Sequence, residues 1–258
     1  MGLCGWQTPR EELALAANLK TALVTGAGSG IGRSIATTLA EMGLRVGLVG
    51  RDREKLERTR ADFVNGRDSA CVASCDISDR AAVDSVIRQI EAALGSIDVL
   101  VCNAGTNVRN RSLETLDPAD WDRMIATNLT GSFNVIHHVL PSMRLRKNGL
   151  VIQICSVSGI RASTLGGAGY SASKFGQSAL GICLGREEGP HGIRSSVIYP
   201  GEVETPILDA RPVPVGAERR SVILQPADIA AAVKFLVELH PRAHVPEMVI
   251  MPTVDDFC

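Results

Sequence analysis

The feature of this sequence that most limits its fold is an alternation. Seven short apolar runs rich in β-branched residues stand at 20–25, 44–50, 69–75, 97–102, 149–155, 193–199 and 246–250. Between them lie longer stretches with helical spacing of apolar residues, at 31–42, 53–65, 79–94, 119–146, 168–188 and 226–239. The short runs lack strict polar–apolar alternation, which suits parallel strands buried on both faces. Parallel neighbours need a crossover, and an intervening helix supplies it in the right-handed sense. The expectation is an α/β fold: a doubly wound parallel sheet with helices on both faces. A chain of 258 residues fits one such domain, assigned to 19–258, after an N-terminal arm over 1–18. Residues 207–225, rich in proline and arginine and weakly periodic, read as a mobile loop.

Composition removes other classes. Lys+Arg total 27 against Asp+Glu 28, a net charge of −1. A nucleic-acid or membrane-surface binder needs a basic face, so neither partner is expected. No apolar run approaches the ~20 residues that span a bilayer. The first twenty residues hold an acidic pair and no long apolar stretch, unlike a secretory signal. The seven cysteines are scattered, with no Cys-x-x-Cys pair. Cys71 and Cys75, four residues apart in a strand pattern, are too distant for a disulfide. Reduced thiols and a cytoplasmic location are the expectation. Pro241 breaks the helix that would make His240 and His244 a metal pair, so no metal site is expected. No Gly-x-Ser-x-Gly elbow surrounds Ser156, which argues against a hydrolase.

In an open α/β sheet, ligands bind beyond the carboxyl ends of the strands. After the first run comes Thr25-Gly-Ala-Gly-Ser-Gly-Ile-Gly32, opening a helix. Gly26, Gly30 and Gly32 let the backbone turn and approach a phosphate, and the helix start adds N–H donors. Arg51 follows the second run, Asp76 the third, Asn103-Ala104-Gly105 the fourth, Ser156 the fifth and Pro200-Gly201 the sixth. Together they describe one long crevice. Tyr170 and Lys174 are i and i+4 on one helix and share a face. A phenol with a pKa of about 10 is a poor proton donor-acceptor at neutral pH, and a neighbouring cation favours its phenolate.

With these motifs in register, plus Asn128 in TNLTG and Pro200-Gly201-x-Val203-x-Thr205, the sequence resembles the short-chain dehydrogenase/reductase family from about residue 19 to 250. The resemblance implies a Rossmann-type sheet of seven strands in the order 3-2-1-4-5-6-7. It implies an oxidoreductase interconverting a carbonyl and a secondary alcohol by hydride transfer, with Asn128, Ser156, Tyr170 and Lys174 as a catalytic tetrad. Tyr170 would exchange the proton, Ser156 steady the substrate oxygen, Lys174 bind the nicotinamide ribose, and Asn128 hold a water in a proton relay. Gly26, Ser29, Gly30, Ile31 and Gly32 would cradle the pyrophosphate, Asp76 and Ile77 meet the adenine, and Asn103 and Gly105 flank the cofactor. Pro200, Gly201, Val203 and Thr205 would lie at the nicotinamide.

Cofactor choice turns on the end of the second run. Counting from Gly32 lands on Asp52, an acid that would favour NAD. The family pattern instead puts the deciding position at Gly50, followed by Arg51, whose guanidinium suits a 2′-phosphate. Asp52 would then open the next helix. NADP(H) is therefore expected over NAD(H). The substrate is a small carbonyl or alcohol, set by 106–116, 161–169 and 207–225. Arg109, Arg111, Arg161 and Arg211, expected at the crevice mouth, would favour acidic substrates. Alternatives are a β-ketoacyl thioester reductase acting on an acyl carrier protein, or a cofactor-binding regulator without turnover. The C-terminal stretch lacks the glycines many relatives carry and loosely resembles hydroxy-acid and serine dehydrogenases. Apolar residues on several faces of the helix at 168–188 call for a second cover, and the resemblance implies that this helix and the one at 119–146 pair across a two-fold axis in a homodimer or homotetramer.

Overall fold

The structure, a computed structural model, describes residues 19–64 and 69–255, so the expected arm over 1–18 lies outside the described residues. The strands are β1 (Thr21–Thr25), β2 (Arg45–Gly50), β3 (Ala70–Ser74), β4 (Val99–Cys102), β5 (Gly149–Ile154), β6 (Ile193–Pro200) and β7 (Glu247–Ile250). The helices are α1 (Gly30–Glu41), α2 (Arg53–Ala61), α3 (Arg80–Leu94), α4 (Pro118–Met124), α5 (Gly131–Arg146), α6 (Ala168–Glu188), α7 (Ala217–Val222) and α8 (Pro226–Glu238). The strands form one sheet in the order β3-β2-β1-β4-β5-β6-β7. Every pairing is parallel; Val24 of β1 stands beside Leu48 of β2 on one side and Val101 of β4 on the other. Strand order reverses between β1 and β4, and a crevice opens at such a point.

Burial on both faces explains the unbroken apolar runs. All five residues of β1 and all six of β5 are buried. Ala22 and Val24 pack with Ile35 and Leu39 of α1 and Ile229 and Val233 of α8. Leu23 faces the other way, toward the cluster holding Val83, Ile87 and Ile90 of α3, Val135 and Val139 of α5, and Leu184 of α6. Asp98 fixes the start of the first strand. It accepts from the backbone N–H groups of Lys20 and Thr21 at 2.8 and 3.1 Å and pairs with Arg146.

Three expectations change. The single helix over 119–146 is divided. Asp117 caps α4 by accepting from the Ala119 N–H at 2.8 Å, and a π-helical turn over Ile125–Thr130 separates α4 from α5. Such a widened turn inserts a residue into the helical ladder and turns side chains that would otherwise follow 3.6-residue spacing. The stretch 207–225 is not a bare loop. It holds a 3₁₀ turn, Pro206–Ala210, and α7. Ion pairs of Arg219 with Glu202 and Asp255, and of Arg220 with Glu204 and Asp209, tie it down. Most of those partners lie outside the stretch, where local periodicity does not register them. The helix expected over 53–65 ends at Ala61. Among the described residues, no helix is long and apolar enough to cross a membrane, and no cluster suited to a metal ion occurs.

Candidate active site

The turn from β1 into α1 requires glycine for three local reasons. Gly26 has φ +67° and packs against Ala104; a Cβ there would sit 2.9 Å from the Ala104 Cα. Gly30 has φ +51° and faces Thr205. A Cβ on Gly32 would fall onto the Gly26 carbonyl oxygen and the Asn103 side chain. Ser29 begins α1 without a side-chain cap. The first-turn N–H groups therefore face the crevice together with the positive end of the helix dipole. Asn103 braces this turn: its backbone N–H donates to Thr25 Oγ1 at 3.0 Å, and its Nδ2 donates to the Thr25 carbonyl at 3.0 Å.

One crevice of about 850 Å³ runs along the carboxyl edge of the sheet. Its lining includes Gly26, Ser29, Gly30, Ile31, Arg51, Asp76, Ile77, Asn103, Gly105, Ser156, Tyr170, Lys174, Pro200, Gly201, Val203 and Thr205. Of the expected site residues, Gly32 and Asn128 lie behind this wall rather than in it. At one end, Asp52 is turned into α2 as its cap, accepting from the Lys55 N–H at 3.1 Å. That bond, opposed by partial burial, holds its carboxyl below the usual range. Arg51 shares the wall with Gly50, Asp52 and Lys55. Burial raises the Asp76 carboxyl, but hydrogen bonds from Ser78, helped by the nearby charge of Arg51, outweigh it and leave the group lowered.

At the other end stand Ser156, Tyr170 and Lys174. Ser156 stands two residues past β5, and its hydroxyl accepts from the Ser158 N–H at 3.1 Å. Burial pushes the Tyr170 phenol up to about 12, with Cys155 adding to the rise, against a side-chain hydrogen bond from Ser156 and the charge of Arg111. The Lys174 ammonium lies 5.7 Å from the centre of the Tyr170 ring. It donates to the Ile154 carbonyl at 3.0 Å and to Gln177 Oε1 at 2.7 Å. Burial lowers its proton affinity. Asn128, fully enclosed in the π turn, accepts from the Thr106 N–H at 2.7 Å. Its Nδ2 donates to the Thr106 carbonyl at 3.0 Å and to Ser173 Oγ at 2.9 Å. The side chain therefore joins the loop after β4 to α6.

The four arginines expected at the mouth divide. Arg111 and Arg211 line the crevice, while Arg109 and Arg161 do not. Arg111 is buried and donates to three backbone carbonyls, of Val108, Leu165 and Ala210, at 2.8, 2.8 and 2.6 Å. Arg211 pairs with Glu202 at 2.8 Å. Both are engaged within the protein, so the expectation of acid-reading arginines loses its support. Sequence reasoning missed Glu202, Arg219 and Asp255 as lining residues because their pairing spans remote segments. It also missed Gln177, whose signal was a polar residue one turn beyond Lys174.

The family described as short chain dehydrogenase matches residues 20–213. A fatty acyl-CoA reductase of Acinetobacter baylyi is 34% identical over 86% of this chain and 74% of its own. Among solved structures, a metagenomic short-chain oxidoreductase in complex with NADP superposes with TM-score 0.78 and 33% identity, covering 91% of this chain and 98% of its own. A 3-ketoacyl-(acyl-carrier-protein) reductase from Brucella melitensis complexed with NADH gives TM-score 0.82 and 27% identity, covering 91% and 97%.

Proposed function

This chain belongs to the short-chain dehydrogenase/reductase family and is an NAD(P)-dependent oxidoreductase of CH–OH and C=O groups, and from that premise we propose that it interconverts a small carbonyl and a secondary alcohol with NADP(H). The observation that carries the reading is the convergence of Ser156, Tyr170 and Lys174 on one crevice whose other wall is the uncapped start of α1. The glycine turn fits a dinucleotide: side chains are excluded at 26 and 32, and backbone donors face the gap. Gly26, Ser29, Gly30 and Ile31 hold the pyrophosphate, Asp76 and Ile77 the adenine end, and Pro200, Gly201, Val203 and Thr205 the nicotinamide end.

A bound nicotinamide cofactor would supply the hydride in reduction and accept it in oxidation. Tyr170 donates its phenolic proton to the carbonyl oxygen in reduction and takes it back in oxidation. Ser156 donates a hydrogen bond to the same oxygen and stabilises its developing charge. Lys174 holds the ribose and, as a cation beside the ring, favours the phenolate. Asn128 keeps the loop after β4 against α6, and its expected part in a proton relay remains within this proposal. Asp52 and Arg51 both line this wall, and NADP(H) is favoured because the Asp52 carboxylate already caps α2 through the Lys55 N–H, while Arg51 and Lys55 bring positive charge beside Gly50. A β-ketoacyl thioester is the second substrate reading, supported by the two relatives that act on acyl thioesters. Retention of Ser156, Tyr170 and Lys174 in one crevice speaks against a regulator without turnover. A soluble cytoplasmic homodimer or homotetramer completes the proposal.

The test is NADPH absorbance over a panel of ketones, keto acids and ketoacyl thioesters, repeated with NADH. Tyr170→Phe removes the transferable proton and keeps the ring. Turnover is expected to fall by several powers of ten, ~1.4 kcal/mol for each, with nucleotide binding retained. Near-normal turnover in that variant would sink the assignment.

A further inference from the structure

We propose that Gln177 is a positioning residue for this reaction: its enclosed carboxamide holds the Lys174 ammonium at the crevice floor as a neutral acceptor. The proposal rests on the role given to Lys174 above. Gln177 lies one turn beyond Lys174 on α6 and is 0% exposed, with Lys174 at 3%. Residues at i and i+3 share a helix face, and the two side chains meet at 2.7 Å.

An ammonium has three N–H donors. One of those on Lys174 goes to the Ile154 carbonyl at 3.0 Å and a second to Gln177 Oε1. The third is left for the crevice. Gly105 forms the wall there, and a Cβ on it would stand 3.6 Å from Lys174 Nζ. The two inward bonds therefore fix the direction of the outward one.

The orientation of the Gln177 amide is settled by what surrounds it. Its Nε2 lies 3.0 Å from Gln153 Oε1, 3.3 Å from Ser132 Oγ and 3.5 Å from the Cys102 carbonyl. Reversing the amide would set its oxygen against the Cys102 carbonyl oxygen and its NH₂ against an ammonium. Oxygen toward Lys174 gives the ammonium an acceptor and gives the Gln153 and Cys102 oxygens a donor.

Neutrality matters as much as position. The titratable groups facing the ammonium are Tyr170 on the same helix, Cys102 at the end of β4 and Cys155 after β5. None is a carboxylate. A carboxylate at position 177 would form a buried ion pair, pull the ammonium inward and raise its proton affinity. A side chain without an acceptor would leave the ammonium with one partner fewer and lower it.

The experiment follows Lys174 directly. The chain has five lysines, so 13C-labelled lysine gives a short NMR spectrum in which Lys174→Met assigns the signal. Titration of wild type, Gln177→Met and Gln177→Glu, each with and without NADPH, reads the proton affinity. The Lys174 midpoint is expected to fall by about one pH unit in Gln177→Met and to rise by about one in Gln177→Glu. In parallel, Gln177→Met should lose roughly tenfold or more in kcat with little change in KM for the carbonyl, and Gln177→Glu should not restore it. A purely space-filling Gln177 would be replaced by the similar-sized methionine with an unchanged lysine titration and unchanged kcat, and that result overturns the proposal. Should Gln177→Met fail to fold, Gln177→Glu decides: an unshifted Lys174 midpoint overturns it. A wild-type protein without carbonyl turnover would count against the reaction proposed above, while the lysine titration, which needs no turnover, would still decide the role of Gln177.

Discussion

At the scale of single residues, the site depends on groups whose chemistry is ordinary and whose placement is not. Arg111 joins three backbone segments through the carbonyls of Val108, Leu165 and Ala210. Arg111→Met leaves the buried Val108 carbonyl without its donor, at a cost of roughly 1–3 kcal/mol, and frees the part-buried carbonyls of Leu165 and Ala210 at a smaller cost. A clear drop in the midpoint of thermal unfolding is expected, with KM raised for every carbonyl tested. Equal stability would show that water takes over the guanidinium's bonds. Arg51 is the opposite case, an exposed cation whose charge bears on Asp76 along the crevice wall. Arg51→Ala should weaken NADPH about tenfold or more and leave NADH unchanged, read from kcat/KM for both. A wild-type preference for NADH would transfer the discriminating role to Asp52. Ser156, Tyr170, Lys174 and the glycines were legible because each motif is local. Arg111 was visible as an arginine in a loop, but its partners lie up to 99 residues away, so its task was not.

At the scale of elements, the π turn and α6 show why periodicity alone misplaced a boundary. Nothing in Ile125–Thr130 breaks a helix. The turn widens because the surroundings engage it: Asn128 is held by Thr106 and Ser173, and Gly131 passes so close to Ile77 that a Cβ would stand 2.5 Å from Cγ1. Glycines also let α6 approach this region. A Cβ on Gly176 would stand 2.6 Å from Leu129 Cδ2, and one on Gly169 3.3 Å from Trp121 Cε3. Beyond that packing, Trp121, Phe133 and Phe175 remain 37%, 40% and 43% exposed. Large half-exposed aromatics on adjacent helices suit an interface. Sedimentation should show a species of at least two chains, and Phe175→Glu should lower its mass. A wild-type monomer at all concentrations would contradict this.

At the scale of the whole molecule, the parallel sheet was legible because burial on both faces suppresses alternation in β1, β4, β5 and β6, whereas the order of its strands came from the family resemblance. The cover over the crevice was not, since its order comes from charges distant in sequence. Arg219 bonds Glu202 at 2.7 Å and Asp255 at 2.6 Å, linking α7, the end of β6 and the C-terminal segment. Arg219 is 39% exposed in its side chain and Asp255 22%, so solvent ions reach this junction. The junction therefore works as a latch whose grip depends on ionic strength. At ~0.15 M salt the screening length is about 8 Å, and near 1 M it shrinks to about 3 Å. If departure of product limits turnover, kcat should rise with salt while the affinity of the closed form falls. Arg219→Gln should show the raised kcat at low salt and lose the dependence. A salt-independent kcat in the wild type would mean that the cover opens by a route that leaves Glu202 and Asp255 paired.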